Sequence, residues 1–250
     1  MEIMSLIHTE WKKQKRSLLW AFILIIPMGT TGAMFLDMNM RYEDYLYPQA
    51  VDKGLNSWEL LLLENHQILG WGLFVPIFVA IIAAFIHYTE FRDNSWKQYL
   101  SFSIYKSNVL LAKFIVTTIF SFLMITLNTA GLILVGKIIG FPEPIEITMF
   151  SSYVITQFVA ILAVAALHNW ISSYFKNIVI AGLIAFIGLI VSTMLMFQAP
   201  HFIFYFPYAT ALFADGLQGH NQIDAIVGGV VGCVVFSIIG IIEFTKRDIM

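Results

Sequence analysis

Six long apolar stretches constrain this chain more than any other feature: residues 18–36, 68–88, 109–135, 148–171, 178–197 and 223–242. Each is close to the ~20 residues that a helix needs to cross a hydrocarbon layer about 30 Å thick. Continuous apolar runs point to helices, because the strands of a membrane barrel alternate with a period of two. The composition agrees, with 59% hydrophobic and 12% charged residues and a mean hydropathy of +0.79. A soluble domain carries about 25% charge. An all-α membrane protein with six transmembrane helices is therefore expected, occupying residues 1–250 as one domain. Pro27 and Pro76 fall inside the first two spans, where kinks are expected.

Charge bookkeeping orients the spans. All the Lys and Arg residues except Arg41, Lys53 and Lys137 fall on the side that holds both termini, and ten of the 16 acidic residues fall on the other. The positive-inside rule then makes both termini cytoplasmic. The apolar run after the basic start is too long for a signal peptide and reads as a retained first span. With a net charge of −2 there is no basic footprint for nucleic acid, and Cys233 has no partner for an internal disulfide.

Several segments are more than spans. In residues 1–17, Ile3, Leu6, Ile7 and Trp11 fall on one helical face and are followed by four basic residues, a pattern that favours an amphipathic helix lying in the inner interface over a mere topogenic basic tail. The second inner loop, residues 89–108, mixes charges with aromatics and lacks Gly and Pro. Glu90, Arg92, Ser95, Trp96, Lys97, Tyr99, Leu100 and Tyr105 form either a partner-docking surface or an aromatic belt on lipid headgroups. Residues 199–221 contain the apolar stretch 202–213, too short to span and too apolar for a simple connector, so a shallow re-entrant pair of half-helices is expected. The acidic outer loop 37–65 reads as a solvated connector rather than a small cap.

Candidate chemistry is sparse. Gly131–Lys137 matches a phosphate loop except that Ile138 replaces the required hydroxyl residue, and no strand precedes it. No nucleotide, metal or catalytic constellation is expected in this chain. Asn128 and Gln157 lie within spans and mark either a substrate path or interhelical hydrogen bonding. His87 and His168 read as interfacial. Gly228 and Gly232 give the last span a small-residue face for close helix packing.

Taken together, the basic amphipathic start, the aromatic inner loop bounded by Glu90 and Lys113, the apolar segment 202–213 and the short basic tail from Glu243 resemble the permease subunits of ABC type-2 transporters. The size and single six-span unit look most like bacterial lantibiotic-immunity and peptide-export permeases. The resemblance implies an elbow helix at residues 1–17, a coupling loop at 89–108 and external re-entrant helices at 199–221. It implies a bacterial cytoplasmic membrane, a second permease as dimer partner, and two cytosolic ATPase subunits that hold the ATP and Mg. It also favours the docking reading of the inner loop. The implied cargo is an antimicrobial or other amphipathic peptide. A lipid or drug exporter of the same family, or a non-transporting sensor or scaffold, are the alternatives.

Overall fold

The structure, a computed structural model, describes residues 3–92, 105–198, 203–217 and 219–247, and among these there is no strand. Helix α1 (Ile3–Lys13) precedes α2 (Leu19–Arg41), which runs through a wide turn at Tyr42–Leu46 into α3 (Tyr47–Asp52). Then come α4 (Ser57–Leu63), a second wide turn at Glu64–Ile68, α5 (Trp71–Arg92), α6 (Lys106–Ile139), α7 (Ile147–Ser172), α8 (Ile178–Gln198) and α9 (Gln222–Lys246). Six helices are long and apolar enough to cross a membrane: α5 to α9, and α2 with its extension through Asp52. Pro27 and Pro76 lie inside continuous helices, and the Thr30 hydroxyl bonds back to the Ile26 and Pro27 carbonyls.

Burial sorts the six. In the most apolar stretch of α5, α6 and α7, 61%, 61% and 56% of the residues are buried, against 22%, 22% and 17% in α2, α8 and α9. The first three make the centre, where Val75, Val79 and Ile82 meet Phe120, Met124 and Ile161. The other three turn apolar side chains outward, as helices do where lipid or another chain replaces water. Helix α6 has 34 residues, or about 51 Å at 1.5 Å each, and so overreaches a hydrocarbon layer at both ends. It stops at Gly140, whose left-handed φ of 86° turns the chain ahead of Pro142.

The spans run alternately, so the α1 end of the bundle collects most basic residues and is called the basic end; the opposite end is called the acidic end. At the acidic end the structure corrects the reading of residues 37–65. They form a packed cap, with Met38, Tyr42, Leu46, Trp58 and Leu61 buried against Leu132 and Phe150. Asn56 and Glu59 form a reciprocal capping box at the start of α4, and the run Leu60–Leu63 that follows supplies too much apolar surface for a solvated connector.

Between α8 and α9 the chain makes two short turns of 3-10 helix, Ile203–Tyr205 and Thr210–Phe213, that sit against the helices rather than above them. Tyr208, Ala209 and Ala211 are buried, the Thr210 hydroxyl donates to the Ala160 carbonyl of α7 at 2.9 Å, and the Tyr208 hydroxyl meets His168 Nε2 at 2.7 Å. Close approach depends on glycine. A β-carbon at Gly232 would lie 2.6 Å from Ala163 Cβ, one at Gly229 2.7 Å from Ala160 Cα, and one at Gly228 2.7 Å from the Phe204 carbonyl oxygen.

Gly229→Val should part α9 from α7 and cost about 1–3 kcal/mol, the usual range for overpacking. In detergent its unfolding temperature should fall, while Gly182→Ala, with open space around the position, should leave it unchanged or higher.

Candidate functional site

At the basic end, one lysine is wholly enclosed. Lys113 sits two turns into α6, is 0% exposed, and its Nζ donates to Glu10 Oε2 at 2.6 Å and to Glu90 Oε1 at 3.0 Å. Lys13 closes the arrangement, 2.7 Å from Glu10 and 2.5 Å from Glu90. Among the described residues, two carboxylates thus face two ammonium groups, and such pairing is what permits charge at such depth. The Ile86 carbonyl lies 3.4 Å from Lys113 Nζ. Three chain segments distant in sequence, α1, the end of α5 and the start of α6, are joined by this ionic knot.

Helix α1 is placed by the same contacts. Leu6 and Glu10 of α1, with Gln14 just beyond its end, fall at i, i+4 and i+8 and form one buried stripe. Trp11 stacks on Phe120 of α6 with ring centres 4.8 Å apart and meets Trp20 edge-on. Ile3 and Ile7 are half-buried beside Leu6. Helix α1 is therefore fastened to the transmembrane helices by its acid as well as by its apolar residues. Glu10 escaped an apolar count because its importance lies in a partner 103 positions away.

Of the residues proposed for docking, Ser95, Trp96, Lys97, Tyr99 and Leu100 lie outside the described residues. Arg92 and Tyr105, at the two ends of that segment, are exposed. Glu90 corrects the grouping: it is 1% exposed and turned into the knot, so it holds the base of the loop instead of presenting a surface. Lys106, beside Tyr105, donates to the Arg247 carbonyl at 2.7 Å, and Arg247 bonds Ser173 and lies 4.0 Å over the Tyr174 ring. Both ends of the loop are thus anchored.

The intramembrane polar residues bind helices together. Asn128, 0% exposed, donates to Thr30 Oγ1 of α2 at 2.9 Å and accepts from Asn65 Nδ2 at 3.3 Å. Gln157, 1% exposed, accepts from Trp71 Nε1 at 2.7 Å. Both are enclosed and bonded across helices among the described residues. His87 and His168 also differ from the interfacial reading: both are buried, against Asn169 and Tyr208, because α5 and α7 continue beyond them. The phosphate-loop look-alike Gly131–Lys137 is continuous helix, and its glycines make room for Thr31 and Trp58, leaving no cradle for phosphate.

At the acidic end the second wide turn meets the buried turn segment. Gln67 Nε2 donates to Asp215 Oδ2 at 2.6 Å, and His220 Nδ1 lies 2.7 Å from Asp215 Oδ1. Burial alone would raise the Asp215 carboxyl, but these bonds and the neighbouring imidazoles hold it below its ordinary value. Glu64 is pushed up by burial, against the opposing pull of Arg41.

A family model described as ABC-2 family transporter protein matches residues 6–192, three quarters of the chain, from within α1 to late in α8. The buried turn segment and α9 lie beyond the matched range. No curated protein matches the chain.

Removing one member of the knot should be costly. Lys113→Met removes the enclosed cation between two buried carboxylates, and a loss of about 3–5 kcal/mol is expected. Thermal unfolding in detergent should show a smaller loss for Lys13→Met, because the site of that 27%-exposed side chain lies at the edge of the knot, where water can replace part of the lost pairing. Combining Lys113→Met with Glu10→Gln and Glu90→Gln should recover part of the loss.

Proposed function

The chain belongs to the ABC-2 transporter family, and from its place there as a membrane-spanning permease subunit we propose that it works in an ATP-driven exporter of amphipathic peptides. Its basic end faces the cytosol in a bacterial membrane, following the lysine and arginine asymmetry. A second permease, alike or homologous, packs beside it, and two cytosolic ATPase subunits bind below. The exposed apolar sides of α2, α8 and α9 leave room for lipid and for that second copy.

The observation that carries this reading is the ionic knot. A loop worked by a separate engine transmits force only if its two stems are joined to the rest of the bundle. Lys113 and Glu90 join those stems to each other, and Glu10 brings in α1. The ATPase docks on residues 92–105, with Trp96 and Tyr99 as its apolar anchors, in keeping with the energetic weight of aromatic residues at interfaces. ATP-driven closure then tilts α1, α5 and α6 together and changes packing toward the acidic end. An amphipathic peptide taken from the membrane suits a protein whose outer surface is apolar; the same machine handling a lipid or drug is the nearest alternative.

Coexpression with an ABC ATPase encoded beside this chain's gene tests the assembly. The two should copurify, and Trp96→Ala with Tyr99→Ala should reduce the recovered ATPase by tenfold or more, equivalent to at least ~1.4 kcal/mol. Unchanged recovery would dismiss the docking surface. Cells carrying the intact complex should resist a membrane-active peptide, whereas a complex that moves only fluorescent lipid in vesicles would favour the lipid exporter.

A further inference from the structure

One side of α9 carries a furrow that the exporter reading does not use. Residues 224, 227–228, 231–232 and 235–236 recur every three to four positions and so share one face of the helix. Phe204 and Tyr205, in the first 3-10 turn after α8, form the opposite wall. The furrow holds about 300 Å3 and runs from Asp224 to Phe236, about 18 Å along the helix axis. Gly228 and Gly232 keep its floor low, and Val227, Val231 and Val235 stand about half exposed along it.

Two polar groups close the furrow at its acidic end. Helix α9 has 25 residues and rises about 37 Å, so a hydrocarbon layer about 30 Å thick leaves roughly 3–4 Å of it at each end. Asp224, in the first turn, therefore falls at headgroup depth. Capping of α9 does not use its carboxylate: the Asn221 side chain accepts from the Ile223 N–H, and Asp224 makes no side-chain hydrogen bond or ion pair among the described residues. Tyr205, on the facing wall, is 83% exposed, and its hydroxyl has no hydrogen-bond partner among the described residues. A carboxylate accepts from an ammonium group, and a phenol donates to a phosphate oxygen.

We propose that this furrow binds an aminophospholipid of the phosphatidylethanolamine type. One acyl chain lies along α9 toward Phe236, the primary ammonium donates to Asp224, and the Tyr205 hydroxyl donates to the phosphate. Shape selects the chain. Spread over about 18 Å, a volume of about 300 Å3 is narrower than a helix, which is about 10–12 Å across with its side chains. An amphipathic helix or a second copy of α9 would rest on the rim, whereas a single alkyl chain enters. Charge selects the head. Phosphatidylglycerol brings its phosphate near Asp224 with no cation to offset the repulsion, and phosphatidylcholine brings a cation without an N–H to donate. Affinity should therefore fall from the ethanolamine to the choline to the glycerol lipid. The inference does not depend on ATPase docking or on the nature of the cargo.

A bimane fluorophore at Val234→Cys, exposed beside Val231 at the rim of the furrow, would read which lipid lies there. The labelled chain, with Cys233→Ser, is reconstituted in phosphatidylcholine vesicles that contain brominated-chain phosphatidylethanolamine, phosphatidylcholine or phosphatidylglycerol at equal mole fraction. Quenching then gives relative affinities. The ethanolamine lipid should bind about tenfold more tightly than the choline lipid, the equivalent of ~1.4 kcal/mol, and the glycerol lipid more weakly than either. Asp224→Asn should bring the lipids close to equality, and Asp224→Glu, which keeps the charge, should retain their order. Tyr205→Phe should weaken all of them alike, since each carries a phosphate. Equal quenching by all the lipids with Asp224 in place, or a preference that survives Asp224→Asn, would overturn the proposal. So would quenching by none of them, which would show that protein covers the furrow.

Discussion

The charge pairing of Lys113 with Glu10 and Glu90 is the constraint on which the rest of the basic end depends. An ammonium group with no exposure is tolerable only beside carboxylates, and those carboxylates come from α1 and α5. Once Lys113 is inside, α1 cannot lie freely on a membrane surface and the last turn of α5 cannot swing away from α6. Lys13, at the edge, pairs with both carboxylates without being sealed in. Apolar packing of Trp11 on Phe120 then adds to a geometry already set by charge.

The acidic end is organised by neutral hydrogen bonds instead. Asn128 stands 15 positions beyond Lys113 on the same helix, about 22 Å along its axis, and ties α6 to α2 and to the turn that carries His66. Helix α5 likewise has Glu90 in the knot and Trp71 bonded to Gln157 near its start. The two ends are therefore joined by the same rigid helices.

What could be read from the sequence follows the range of the forces involved. Spans emerged clearly because membrane burial is a local sum over about 20 residues. The apolar turn near Tyr208 stood out for the same reason, being too short to cross and too apolar for water. The cap was misread, although the Asn56–Glu59 capping box before Leu60–Leu63 was a usable signal. Glu10 and Glu90 could not be assigned from sequence: a carboxylate at a basic end looks solvated until its partner is found across the fold. Asn128 and Gln157 were noticed as polar residues in spans, but only their partners Thr30 and Trp71 distinguish a tie from a passage. His66, whose Nε2 lies 3.0 Å from the Ala211 carbonyl and 3.2 Å from that of Leu212, gave no periodic or compositional signal, since those partners lie 145 and 146 positions away.

The central claim is that the basic ends of α1, α5 and α6 move as one body under the ATPase. Distances between spin labels on the exposed residues Lys12 and Tyr105, taken in the assembled complex before and after trapping with a non-hydrolysable nucleotide, test it most directly. The account predicts that this separation stays constant while the distance from either label to the exposed Lys176, just before α8, changes. A Lys12–Tyr105 distance that shifts on trapping would show the knot to be no lever at all.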